Sequence, residues 1–232
     1  MAKVISVVSG YKGGTGKSTV AALVSYKLSL HSGSVLLLDL GGGGSTLLTT
    51  GLSQTRFSIE DYLSGLADWS QVLVRAPASS RLFVAPSKTP LVNTQKATNL
   101  EELLEAARSA AAYVVVDFPP NPAEEAERLL SHSDKVLVVS TPSWITFSSL
   151  KSWVSSRAAR LSDAQLVGLL NMYSPLVGGW RKAMLGLVER VVTLSFDAAL
   201  LFTHAKTIAE ALGCASRRTR RDAESILSLM IE

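Results

Sequence analysis

Short apolar runs recur along the chain, each bounded by polar or turn-forming residues. They include Val4-Ile5-Ser6-Val7-Val8, Val35-Leu36-Leu37-Leu38, Val114-Val115-Val116, Val136-Leu137-Val138-Val139 and Leu166-Val167-Gly168-Leu169-Leu170. These runs predict strands near 3–9, 35–39, 81–85, 113–117, 135–140 and 165–171. Segments with helical periodicity fall between and after them, near 17–31, 58–65, 98–111, 122–132, 144–160, 179–190, 199–212 and 217–230. Strand alternating with helix predicts an α/β fold, a doubly wound, mostly parallel sheet with helices on both faces. Ser58-Ile59-Glu60-Asp61 reads as a capping box, and Pro119, Pro120 and Pro122 end one strand and open the next helix. There is no internal repeat and no heptad pattern, so residues 1–232 read as one domain with a basic helical segment at about 214–232.

The turn after the first strand carries the chemistry. Tyr11-Lys12-Gly13-Gly14-Thr15-Gly16-Lys17-Ser18-Thr19 leads from an apolar run into the first helical segment. A glycine-rich turn between strand and helix lets backbone N–H groups face phosphate oxygens, and the new helix aims its positive end at the same anion. Lys17 supplies a charge for the β- and γ-phosphates, and the Ser18 hydroxyl suits Mg²⁺. The loop residues Gly13, Gly14, Thr15, Gly16, Lys17, Ser18 and Thr19 are therefore candidate ATP/ADP contacts. The strand ending in Asp117 offers a carboxylate for Mg²⁺ and for orienting water.

Lys-Gly-Gly-x-Gly-Lys-Ser, with Tyr11 at the position of the usual first glycine, resembles the deviant phosphate loop of the ParA/MinD family of ATPases. Further blocks follow in that family's order. Val35 to Asp39 is similar to the strand that opens switch I. Tyr113 to Pro120 is similar to the Walker B strand with its Asp-x-Pro-Pro turn. Lys135 to Ser143, with Pro142, and Leu166 to Tyr173, with Asn171, resemble the two strands whose exits approach the nucleotide. Phe196-Asp197 is a weaker match to a later loop near the base. The resemblance covers about residues 3–173. It implies that Lys12 reaches across an ATP-dependent homodimer to the partner's phosphates, that Asn171 reads the adenine edge, and that Asp39 and Asp117 serve catalysis. It also implies non-specific duplex DNA binding, a ParB-like stimulating partner and a cytoplasmic, nucleoid-associated protein.

Switch I departs from the family. Gly41 stands where a second Asp is usual, within Asp39-Leu40-Gly41-Gly42-Gly43-Gly44. Phosphoryl transfer depends on positioning, so losing that carboxylate slows hydrolysis more than nucleotide binding. Turnover is expected to be weak or partner-dependent.

Charge then sharpens the picture. The net charge of +4 is modest, but Arg217, Arg218, Arg220 and Arg221 fall within five residues. Arg157, Arg160, Arg181, Lys182 and Arg190 add to the basic C-terminal half. The cluster is the candidate DNA contact, and a dimer would double it. A single cysteine, Cys214, excludes an intramolecular disulfide and argues against iron–sulfur relatives. His31, His132 and His204 have no metal spacing. Met1-Ala2-Lys3 runs straight into the first strand, so no secretory signal is expected. Ile226, Leu229 and Met230 form an apolar stripe whose polar face is acidic or neutral. That favours packing on the core over the membrane helix of MinD-like proteins. Trp144, Phe147 and Trp153 suit core or dimer packing. Two readings from other classes stand beside the ATP-dependent DNA partition or positioning role that the resemblance implies: a nucleotide-gated DNA-binding module with little hydrolysis, and a small-substrate kinase of the dethiobiotin synthetase type.

Overall fold

A computed structural model describes residues 2–90, 100–122, 124–157, 161–176, 178–202 and 204–232. Its strands are β1 (Lys3–Val8), β2 (Val35–Asp39), β3 (Val74–Arg75), β4 (Leu82–Ala85), β5 (Tyr113–Asp117), β6 (Lys135–Ser140), β7 (Gln165–Tyr173) and β8 (Arg190–Ser195). They form one sheet in the order β3-β4-β2-β5-β1-β6-β7-β8. Every pairing is parallel except the short β3–β4 edge.

The helices are α1 (Lys17–His31), α2 (Gly44–Thr50), α3 (Ile59–Leu63), α4 (Trp69–Val72), α5 (Leu100–Ala110), α6 (Glu124–Arg128), α7 (Trp144–Ser156), α8 (Trp180–Leu185), α9 (Ile208–Cys214) and α10 (Arg217–Ile231). Side chains alternate across each strand, so the continuous apolar runs feed two cores. Val4, Val8, Val114, Val116, Val136 and Val138 pack with Leu103, Leu150 and Trp153 on one face. Ile5, Val7, Val115, Leu137 and Val139 pack with Val20, Leu23, Ile226 and Met230 on the other. The doubly wound α/β architecture is thus the one the sequence predicts.

The stripe of α10 is spent on that second core, where Ile226, Leu227 and Met230 are buried. Cations hold the far end of the helix. Lys3 Nζ donates to the Ile231 carbonyl at 2.9 Å, Lys135 Nζ donates to the Leu229 carbonyl, and Arg190 pairs with Glu232. They satisfy terminal carbonyls and oppose the negative helix end. Burial, aided by the charge of Lys3, pushes the Lys135 amine below its usual value.

Several elements differ from the sequence expectation. The expected helix at 179–190 ends at Leu185, and residues 190–195 form β8 instead. Arg190-Val191-Val192-Thr193 is β-branched in three successive positions, and the open edge of β7 gives it a partner. The segment read as one helix over 199–212 is a 3₁₀ turn (Ala198–Leu201), a left-handed Phe202 with φ 56°, and then α9. A short helix that the sequence reading did not place, α2, begins at Gly44, directly after Gly41 to Gly43. The capping box at Ser58 and Asp61 forms as expected. Trp153 and Phe147 are core residues, whereas Trp144 is 72% exposed. The end of the expected 144–160 helix, with Arg160, and the start of the 98–111 helix lie partly outside the described residues.

Candidate nucleotide site

Register assembles the site. β1 lies between β5 and β6, and β2 lies beside β5 with Asp39 opposite Asp117. Two carboxylates and the loop from β1 to α1 therefore meet at the carboxyl edge of the sheet, where ligands of open α/β sheets bind.

The loop ends at Gly16, with φ 79°, and a Cβ there would collide with the Asn171 amide. Only glycine satisfies both the backbone and the space. Gly16 gives α1 no side-chain cap, and no acid occupies its first turn. The free N–H groups and the positive helix end are left for an anion. Gly13 and Gly14 are exposed, as is Lys12, whose carbonyl accepts from Ser9 Oγ at 3.1 Å. Lys17 is buried, with Nζ 3.5 Å from Asp117 Oδ1.

Asp117 is fully buried, and neither oxygen has a hydrogen-bond partner of good geometry. Burial pushes its carboxyl up; Lys17 opposes this, nearby Asp39 adds to it, and the adjacent Ser18 and Ser45 hydroxyls ease it. Thr15 Oγ1 and Ser45 Oγ are also buried without partners. Orphaned polar atoms are rare in proteins and point to an absent ligand. Among the described residues no group of three or more metal-ligating side chains occurs. One or two hard oxygens from Ser18 and Asp117 fit Mg²⁺, which keeps several waters and takes its remaining ligands from phosphates.

Asp39 is engaged differently. Its Oδ2 accepts from the Thr46 N–H at 2.8 Å and the Thr46 hydroxyl at 2.7 Å, and its Oδ1 accepts from the Gly41 N–H at 3.0 Å. It therefore shapes switch I and anchors α2. Gly41 adjoins both acids: a Cβ there would lie 3.3 Å from Asp117 Oδ2 and 3.5 Å from Asp39 Oδ1. Gly42 has φ 90°, and a Cβ there would strike Pro90 at 2.7 Å, so this glycine is a backbone requirement.

Asn171 closes the other side, its amide donating to the Thr15 carbonyl at 2.8 Å. It lines a small cleft with Gly16, Thr19, Met172, Phe196 and Asp197. Pro142 is half-buried at the exit of β6, in the turn where the Ser143 N–H donates to the Thr141 carbonyl at 2.7 Å.

Sequence reasoning missed a clamp on the loop. The Arg157 guanidinium lies 5.2 Å from the Tyr11 ring centroid and donates to its hydroxyl at 2.7 Å. Tyr11 N–H donates to Ser149 Oγ, and Arg157 also pairs with Glu127. Arg157 and Arg190 are thus engaged within the fold rather than in an open basic patch. By contrast, Arg217, Arg218, Arg220 and Arg221 are exposed on the first turns of α10, with no ion pair among the described residues.

Comparison with known proteins agrees with this geometry. A family model described as an AAA domain matches residues 2–156. The septum site-determining protein MinD of Helicobacter pylori is 30% identical over 168 residues, covering 71% of this chain and 60% of that protein. The sporulation initiation inhibitor protein Soj of Bacillus subtilis is 26% identical over 149 residues, covering 60% and 58% respectively. The matched part is thus less than two thirds of these relatives' length. In three dimensions the chain is similar to the cell division ATPase MinD of Pyrococcus furiosus (TM-score 0.79, 21% identity, 99% of this chain and 100% of that one). It is also similar to a ParA family ATPase of Chlorobium tepidum (TM-score 0.78, 19% identity, 98% and 99%).

Proposed function

The chain belongs to the ParA/MinD family of deviant Walker A ATPases, and from that premise we propose that it is an ATP-gated positioning protein that holds duplex DNA. ATP enters the β1–α1 loop, where Gly13 to Thr19 present backbone donors and Lys17 meets the terminal phosphates. Lys17 would exchange its Asp117 partner for phosphate, and Ser18 and Asp117 would hold Mg²⁺. The ion would supply positive charge to the phosphates. Asn171 and the neighbouring cleft receive the base, and Pro142 flanks the site from β6. Lys12, exposed at the loop's rim, completes the site of a second copy in a homodimer. The dimer presents Arg217, Arg218, Arg220 and Arg221 twice to the phosphate backbone, and a ParB-like partner stimulates hydrolysis and release. Residues 1–232 act as one unit in this cycle.

The observation that carries the DNA half is the state of α10. Four arginines crowd the positive end of a helix with no acid in its first turn. The Asp197 carboxylate at the cap offsets part of that positive charge, and a bound anion would offset more. The test is duplex DNA binding at one fixed salt concentration with ATP, ADP or neither. ATP-dependent binding lost on Arg218→Glu/Arg221→Glu is the expected result; equal binding in all three states would remove the gating.

A second reading is a nucleotide-gated DNA-binding module with little turnover. Gly41 favours it: a side chain there would point at Asp117 and Asp39, and glycine has none. A burst of hydrolysis in single-turnover conditions would exclude it. A MinD-like membrane role through α10 has less support, since the helix's apolar stripe is buried in the core.

A further inference from the structure

The cleft beside Asn171 is small, about 30 Å³, with Phe196, Asp197, Leu200 and Leu201 along one side. A nucleobase seated against Asn171 would press on this wall, Phe196 to Leu201. That wall is unusual. Phe196 and Leu201 are more than half exposed at its rim, and Phe202 behind it holds a left-handed φ of 56°. Ser195 Oγ is buried in the same wall without a partner.

The wall is also tied directly to the basic helix. Asp197 Oδ1 accepts from the Ala199 N–H at 3.0 Å within the wall. Its Oδ2 accepts from the Ser216 N–H at 2.8 Å and the Thr219 hydroxyl at 2.7 Å, at the cap and first turn of α10. A second tie runs the other way, from the Ser195 N–H to Asp222 Oδ2 at 2.9 Å. Arg217, Arg218, Arg220 and Arg221 lie between those two attachments on α10.

We propose that Asp197 is a positioning residue that couples the base cleft to the arginine turn of α10 within a single protomer. Filling the cleft displaces the wall, and the wall carries the cap of α10 with it, so the arginines change position before any second copy is engaged. The inference rests on the nucleotide reading above. It adds a route from nucleotide to the anion surface that needs no dimer. Linkage is reciprocal, so DNA on the arginines would change nucleotide affinity by the same factor.

Amide hydrogen exchange on the full chain tests it, with Mg²⁺ and ADP rather than ATP, at protein concentrations where the chain is monomeric. Wild type is expected to show slowed exchange across residues 10–19 and a change of about fivefold or more across 216–222, the lower end of typical coupling. In Thr219→Val, which keeps Asp197, its other bonds and the lining of the cleft, the loop response is expected to stay and the response at 216–222 to disappear. Asp197→Asn also alters the cleft lining, so it is read only for the same loss at 216–222. Loop protection with no change at 216–222 in wild type would overturn the coupling. A change that persists in both variants would overturn the role of Asp197. No protection of residues 10–19 would instead overturn the nucleotide reading, and the coupling with it.

Discussion

Asp117 is the residue whose environment says most about its task. A carboxylate buried beside a second carboxylate, with one lysine at 3.5 Å, is held above its usual value. For an acid with a raised folded value, the charged form favours the unfolded chain. The cost is absent well below the ordinary value of 3.8, grows as pH rises past it, and is complete above the folded value. Asp117→Asn is therefore expected to stabilise the nucleotide-free protein at pH 7 and to lose that advantage near pH 4. The same change should remove most of the stabilisation that Mg²⁺ adds to bound nucleotide. Urea unfolding at the two pH values, with and without nucleotide, reads both effects. Gly41 gives the complementary case. A carboxylate on a Cβ 3.3 Å from Asp117 Oδ2 adds a third negative charge to the cluster. Gly41→Asp should lower the stability of the nucleotide-free protein by about 1–3 kcal/mol while raising the single-turnover rate of ATP hydrolysis. Gly41→Ala, which adds bulk without charge, should raise no rate. If neither variant hydrolyses faster than wild type, the slow step lies elsewhere than at this position.

Elements show where local sequence speaks for itself and where it does not. β1, β2, β5 and β6 are legible because buried parallel strands need continuous apolar runs and these have few helical alternatives. α1 and the phosphate loop are legible because the glycine spacing and Lys17-Ser18 have one common use. β8 is not, because Arg190 to Ser195 becomes a strand only when β7 offers an open edge, and no local signal records that edge. α2 is hidden for a related reason. Its start depends on Asp39 accepting from Thr46, seven residues away, while the intervening glycines are costly to order and carry no helix signal of their own. The Tyr11–Arg157 clamp spans most of the chain and leaves no spacing to find. α10 combines both cases: its apolar stripe is legible, but its Ser216 cap and its tie to Asp197 are not. At this scale the arginine turn makes its own prediction. Cations at a helix N-terminus oppose the dipole by about 0.3–1 kcal/mol each. Arg217→Gln/Arg218→Gln should thus raise the thermal midpoint of the free protein and weaken DNA binding. Calorimetry beside a binding titration would show the opposed effects; a lowered midpoint would mean those arginines support the fold instead.

At the scale of the whole molecule the question is how many phosphates one binding event engages. One protomer carries four arginines in the cluster, Arg217, Arg218, Arg220 and Arg221. If the binding species is a monomer and all four contact phosphate, log affinity falls with log salt with a slope of about −3.6. A closed pair engages twice as many, and the slope approaches roughly −7. The proposed role of Lys12 then gives a sharp expectation, because Lys12 sits at the rim of the loop, remote in sequence from α10 and exposed to solvent. Lys12→Ala removes no charge from the arginine turn. It should nevertheless halve the ATP-state slope to the monomer value, while leaving the weak ADP-state binding and its slope unchanged. A charge lost directly from the DNA surface would instead lower the slope by about one. Titrations from low to moderate salt, in ATP and in ADP, separate the two outcomes. A slope that drops by only one would make Lys12 a DNA contact, and an unchanged slope would mean that the clamp closes without it.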